Sequence, residues 1–228
     1  MLSDAVRSPS IATERDEAPA PGSCAEHNAF MGLMKDRMLR GELYIADDDD
    51  LAADFARAQD LLARYNRTAH GAQGERDRIL RDLLGELGEG VVIRPPFRCE
   101  YGTPITIGAG TFLNYDCLML DGAPIRIGSA CQIAARVQFL TATHPIDPEP
   151  RRIGWESAAP ITIGDNVWLS GGVIVCPGVT IGDDTVVGAG AVVTRDLPAG
   201  VVAVGVPARV LRAIGDRDRI DVPSLPAG

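Results

Sequence analysis

A period of six residues governs the second half of this chain. Ile163, Leu169, Val175, Ile181, Val187 and Val193 recur at intervals of six. Four positions after each of them stand Val167, Val173, Val179, Thr185, Ala191 and Leu197. Gly164, Gly182 and Gly188 directly follow their aliphatic residues. An earlier run, Ile107, Leu113 and Met119, has the same spacing and resumes after a two-residue slip with Ile127, Ile133 and Phe139. Thin side chains again come four later, at Thr111, Cys117, Cys131 and Val137. This period matches neither an α-helix nor a half-buried strand. It matches a solenoid in which each hexapeptide is one flat side of a triangular coil, and about 18 residues close a turn. The aliphatic residue points inward, and the small residue lets the chain turn at the corner. Coils stack roughly 4.8 Å apart through parallel backbone hydrogen bonds. The expected fold is mainly β, a left-handed parallel β-helix.

Composition agrees. Aromatic residues make up only 5% of the chain, while 25 Gly and 16 Pro supply many turns. The net charge of −9 argues against a general nucleic-acid binder. No basic run suggests a membrane surface, no apolar run is long enough to span a bilayer, and no signal-peptide core is present. Cys24, Cys99, Cys117, Cys131 and Cys176 are scattered without a paired motif. They read as free thiols in a reducing compartment, so a cytoplasmic location is expected.

Ahead of the repeat the pattern is different. Residues 1–28 carry Ser, Pro, Ala and scattered charge without periodicity, as a disordered extension does. Residues 29–90 read as a small α-helical domain. Its first apolar stripe holds Met31, Leu33, Met34, Met38, Leu39 and Leu43; its second holds Leu51, Phe55, Ala58, Leu61, Leu62 and Tyr65. Asp47 to Asp50 precede the second stripe, where acidic side chains cap free N–H groups. Ile79, Leu80, Leu83, Leu84 and Leu87 predict a third helix, closed by Gly88 and Gly90. The β-helix is expected over residues 91–212, followed by a tail, 213–228. Residues 141–162 break the repeat and contain His144 and Trp155, so they read as a loop projecting from one corner.

Several stretches resemble the maltose, galactoside and nodulation-protein O-acetyltransferases of the hexapeptide-repeat superfamily. Gly41-Glu42-Leu43-Tyr44 and Arg64-Tyr65-Asn66 are similar to that family's N-terminal helical domain. Pro95-Pro96-Phe97-Arg98-Cys99-Glu100-Tyr101-Gly102 looks like the lead into its β-helix, and Asn114-Tyr115-Asp116-Cys117 and Leu120-Asp121 fall in the first coils. Thr141-Ala142-Thr143-His144-Pro145-Ile146-Asp147 resembles its active-site loop. Gly164-Asp165-Asn166-Val167-Trp168 and Val204-Gly205-Val206-Pro207-Ala208-Arg209-Val210 complete the set, which spans residues 31–212. The resemblance implies a homotrimer with active sites between subunits, acetyl-CoA as donor and a hydroxyl-bearing small molecule as acceptor.

Moving an acetyl group to an alcohol needs a base for the hydroxyl proton. Imidazole, with an ordinary pKa of about 6.5, suits that work. Of the three histidines, His27 lies in the extension and His70 in a polar linker, which leaves His144. By resemblance Asn114, Asp121 and Glu100 face the acceptor, and Phe112 and Trp168 form apolar walls. A corner role for Asn114 and a core role for Phe112 stay open beside these. The backbone N–H of Gly171 is the implied oxyanion donor. CoA is expected along Gly171, Ala189, Thr194, Arg195, Arg209 and Arg212, whose guanidinium groups suit its phosphates; solvated surface arginine is the plainer reading of Arg212. Three coil-borne histidines for a zinc site are lacking, so no metal is expected. The cysteines fall where small apolar residues pack, so direct transfer is expected over an acyl-cysteine. The acceptor is read as a sugar or oligosaccharide. A hydroxylated secondary metabolite or antibiotic is the second reading, and a non-enzymatic scaffold the third.

Overall fold

The computed structural model describes residues 32–223. The extension expected at 1–28, with Cys24 and His27, lies outside them, as do Met31 and the last residues of the tail. The chain opens with α1 (Leu33–Leu39), the short strand β1 (Tyr44–Ile45), α2 (Asp49–Tyr65) and α3 (Gln73–Leu83). Asp48 is the N-cap of α2 and accepts the N–H groups of Asp50 and Leu51. Its second oxygen accepts from Met34, so one buried carboxylate joins α1 to α2. Leu51, Ala58, Leu62 and Tyr65 form the buried stripe, whereas Phe55, Leu33, Leu39 and Leu43 are exposed.

The repeat folds as a parallel β-solenoid of about six turns. One sheet stacks β2 (Glu86–Leu87), β5 (Ile105–Ile107), β8 (Ile125–Ile127), β13 (Ile161–Ile163) and β16 (Thr180–Ile181). The next stacks β3 (Val92–Ile93), β6 (Phe112–Leu113), β9 (Gln132–Ile133), β14 (Trp168–Leu169), β17 (Val186–Val187) and β19 (Val201–Val204). The third stacks β4 (Phe97–Cys99), β7 (Cys117–Leu120), β10 (Gln138–Leu140), β15 (Ile174–Val175) and β18 (Val192–Val193). Every aliphatic residue of the six-residue ladder from Ile107 to Val193 is buried. Together with Thr111, Cys117, Cys131, Val137 and the other thin corner residues they fill the prism.

Two details depart from the sequence expectation. The solenoid starts at β2, so Leu87 belongs to a strand and Gly88 to a corner, not to a helix end. A Cβ on Gly88 would stand 2.4 Å from the Ala109 nitrogen, which is why glycine is required there. The coil length is also not uniform. Ile105 pairs with Ile125 and Phe112 with Gln132, an advance of 20 residues. Thr162 pairs with Thr180 and Ile174 with Val192, an advance of 18. The extra pair sits at the corner between the third and first sheets, around residues 100–104 and 121–124. Buried polar groups hold this wider corner. The Asp121 carboxylate accepts the N–H groups of Glu100, Tyr101 and Gly102, and the Thr141 hydroxyl accepts from Ala123 while donating to the Leu120 carbonyl.

The projecting segment leaves from that same corner and is a folded hairpin. It contains β11 (Ala142–Thr143), α4 (Pro148–Ile153) and β12 (Trp155–Ala158). β12 lies between β11 and β1 in a three-stranded antiparallel sheet. The solenoid resumes at Ile161, in parallel register on Ile125. At the other end β20 (Arg209–Ala213) folds back antiparallel on β19.

The outer faces differ in polarity. Glu86, Thr106, Arg126, Thr162 and Thr180 point out from the first sheet. The second presents Val92, Phe112, Gln132, Trp168, Val186 and Val202, and the third Arg98, Leu118, Gln138, Ile174 and Val192. Phe112 is thus an outward, half-buried residue and not part of the core. Leu169 and Trp168 are neighbours on opposite sides of β14. Leu169→Ala is expected to cost about 2–4 kcal/mol in denaturant unfolding, against under about 1 kcal/mol for Trp168→Ala.

Candidate active site

The hairpin register decides what surrounds His144. Thr143 pairs with Ser157, so the next residue, His144, comes opposite Glu156. Tyr44 of β1 pairs with Glu156 from the other side. The His144 Nε2 lies 3.9 Å from Glu156 Oε2. Its Nδ1 lies 3.3 Å from the Trp155 carbonyl oxygen. A carbonyl can only accept, so Nδ1 carries the proton in that contact and Nε2 is left with a free lone pair. The imidazole is more than half exposed, open to an incoming hydroxyl.

Three carboxylates gather at this corner. Glu156 is the cross-strand partner of Tyr44. Asp121 is fully buried, and its oxygens are occupied by the turn N–H groups of residues 100–102. Those bonds give Asp121 a structural duty at the turn. Glu100 is half-buried, and burial, then Asp121, then Glu156 push its carboxyl up to about 7. Burial also pushes the Tyr44 hydroxyl upward, with Glu156 adding to the effect.

The remaining expected residues lie elsewhere on the prism. Phe112, Asn114 and Trp168 line a cleft of about 180 Å³ with Gln132, Ile133 and Ala134, at the edge between the second and third sheets. Gly171 and Ala189 turn at that same edge. The Gly171 carbonyl accepts from Gly190, while its N–H has no hydrogen-bond partner among the described residues. Thr194 and Arg195 follow β18, beyond the opposite edge of the third sheet. Arg195 and Arg209 line a second cleft, of about 150 Å³, with Asp196, Leu197, Ala208 and Val210. Arg212 is engaged: Asp218 takes both terminal guanidinium nitrogens at 2.7 Å. That pairing, with help from the Gly215 N–H, pulls the Asp218 carboxyl down to about 2. Within one chain, then, His144 and Glu100 form one group, while Phe112, Asn114 and Trp168 form another.

The thiols do not suit nucleophilic work. Burial pushes Cys99, Cys117 and Cys131 upward, away from thiolate. Cys176 is only partly buried, packed against the core from outside. No metal-holding group of His, Cys, Asp or Glu occurs among the described residues, and no helix among them is long and apolar enough to cross a membrane.

Tyr44, Trp155 and Glu156 belong to the His144 site but were not expected there. Tyr44 stands in a motif recognisable in the sequence. Glu156 has no local signal, because its position depends on cross-strand register.

Glu100 gives a stability test with a definite sign. Its carboxyl binds a proton up to about pH 7 in the fold, against about 4.5 unfolded. Its contribution is favourable below pH 4.5 and is lost as pH rises to 7. Glu100→Gln should therefore match the parent near pH 4.5 and be more stable by about 1–2 kcal/mol at pH 8, measured by thermal unfolding across that range.

Comparison with known proteins identifies the family. Residues 37–88 match the maltose acetyltransferase hexapeptide capping motif, and residues 160–195 match the bacterial transferase hexapeptide of six repeats. The chain is 49% identical to Nodulation protein L of Rhizobium meliloti over 77% of its own length and 96% of that protein's. It is 36% identical to the galactoside O-acetyltransferase of Escherichia coli, covering 82% of this chain and 92% of that one. Among solved structures, a maltose O-acetyltransferase from Clostridium difficile superposes with a TM-score of 0.78 at 43% identity, over 80% of this chain and 98% of the other. A galactoside acetyltransferase in complex with coenzyme A superposes at 0.79 with 36% identity, over 81% and 92%. The capping motif and the hexapeptide match, with relatives at 36–49% identity covered over more than nine-tenths of their length, show the family: the chain belongs to the hexapeptide-repeat acetyltransferases of the maltose, galactoside and nodulation-protein family.

Proposed function

We propose that this protein transfers an acetyl group from acetyl-CoA directly to a hydroxyl of a sugar or oligosaccharide, with His144 as general base. The carrying observation is the His144 contact with the Trp155 carbonyl, which leaves Nε2 free to accept a proton. The acceptor hydroxyl gives its proton to Nε2 as its oxygen bonds to the thioester carbon. The oxyanion that forms is held by the unpaired Gly171 N–H. When the C–S bond breaks, the imidazolium returns the proton to the CoA thiolate. Half-buried Glu100 and Glu156 suit an acceptor rich in hydroxyl groups, each able to donate to a carboxylate. Arg195 and Arg209 are exposed cations suited to the CoA phosphates, and Arg212 joins them once Asp218 lets go. Buried free thiols fit the reducing cytoplasm.

The active unit is a homotrimer with sites between subunits. Two of the three solenoid faces carry outward apolar residues, and only the first is polar throughout. The two residue groups stand on different edges of one prism, which supports a shared site built from His144 of one copy and Asn114 and Trp168 of the next. Cyclic symmetry then makes three equal sites.

His144→Ala should lower kcat by about 10³-fold or more while CoA still raises the melting temperature; full activity in that variant overturns the base assignment. A panel of sugars and hydroxylated natural products, read by release of free CoA, distinguishes the two acceptor classes. Mixing subunits tests the shared site. His144→Ala and Asn114→Ala chains, each inactive alone, should regain about a quarter of parent activity when refolded together, since about one interface in four is then intact.

A further inference from the structure

The base sits on an exposed hairpin, and something must hold that hairpin still. We propose that the N-terminal helical domain performs this task, with Tyr44 and Trp155 as positioning residues for His144. This rests on the reading of His144 as the base.

Two separate contacts carry the inference. The first is apolar. Met34, Met38, Tyr44, Leu51 and Tyr101 form a buried cluster apart from the solenoid core, and the Trp155 ring packs against it. The Arg37 guanidinium covers that ring at 5.7 Å. Trp155 is thus an anchor whose side chain belongs to the helical domain while its carbonyl holds His144 Nδ1. Moving the ring moves the carbonyl, and with it the group that sets the tautomer. The second contact is polar. β1 adds to the outer edge of the hairpin and places Tyr44 beside Glu156. Tyr44 therefore stands across the strand pair from Glu156, whose carboxylate itself faces His144 Nε2. The imidazole is therefore bracketed at Nδ1 by a backbone oxygen that accepts its proton, and at Nε2 by a carboxylate that favours the imidazolium formed when Nε2 takes a proton. Both brackets are secured by residues 34–51. Gly122 leaves room for the arrangement: a Cβ there would come within 2.9 Å of the Tyr44 hydroxyl oxygen.

The test uses the full chain. Trp155→Leu keeps an apolar side chain but loses the ring. It should lower kcat about 10- to 100-fold with the KM for acetyl-CoA within about twofold. Ring ¹⁵N spectra at pH 8 should change His144 from a single Nδ1–H tautomer to a mixture. Tyr44→Phe removes one hydroxyl and preserves the packing. It should lower kcat about 3- to 10-fold, and should cause no further loss in a Glu156→Gln background, because Tyr44 acts on His144 through the Glu156 carboxylate. Should Trp155→Leu not fold, this cycle decides alone. Parent kcat in both variants, additive losses in the cycle, or a fall in kcat with an unchanged His144 tautomer in Trp155→Leu overturns the proposal. Failure of the base assignment is seen separately, as activity that survives His144→Ala.

Discussion

Each coil of this solenoid is stable only because another coil lies against it. A single turn presents its backbone N–H and C=O groups along the axis and cannot bury its own aliphatic residues. Stacking solves both problems in the middle and leaves them at the ends. At the start, α2 and α3 close the gap. Tyr65 donates its hydroxyl hydrogen to the Ile93 carbonyl, and Asn66 makes a paired contact with the backbone of Phe97. Ile79, Leu80 and Leu83 continue the core beyond the first strands. At the finish, β20 folds back on β19. The helical domain is thus required as a cap, and its placement at that end brings β1 within reach of the hairpin.

The electrostatics of the site follow from the same corner. A turn two residues longer than its neighbours exposes N–H groups that have no rung to pair with, and Asp121 accepts them. Burying that charge has a cost: burial pushes the Asp121 carboxyl upward, and Glu100 beside it is pushed up first by its own burial and then by Asp121. The site is therefore acidic for a structural reason before it is acidic for a catalytic one.

The core was legible in the sequence because a nearest-neighbour fold repeats its burial pattern at a fixed interval. Every ladder position from Ile107 to Val193 named from the six-residue period is buried, while Ile125 and Ile161, two residues ahead of their ladder neighbours, join the core without having been named. The slip between Met119 and Ile127 was visible too, but its meaning as a wider corner needed the stacking of Asp121 under Glu100. His144 stood out as a histidine in a break in the repeat. What could not be read were contacts set by strand pairing between distant segments. Glu156 gains its place from β1 and β11 together, and Arg212 is held by an aspartate in the tail. Leu87 followed a helical stripe and yet became a strand, since pairing with Ile107 outweighs local periodicity.

The hairpin of residues 141–160 interrupts the chain without disturbing the stack, since Ile161 settles on Ile125 as though nothing lay between. Inheritance of the core and invention at the corner are thereby uncoupled. A lineage can lengthen, shorten or exchange this hairpin while keeping every rung, provided β12 still finds an edge to join. Novelty in the acceptor can arise here at small risk to folding, and the boundary condition on it is β1: a new hairpin and the strand that receives it must change together.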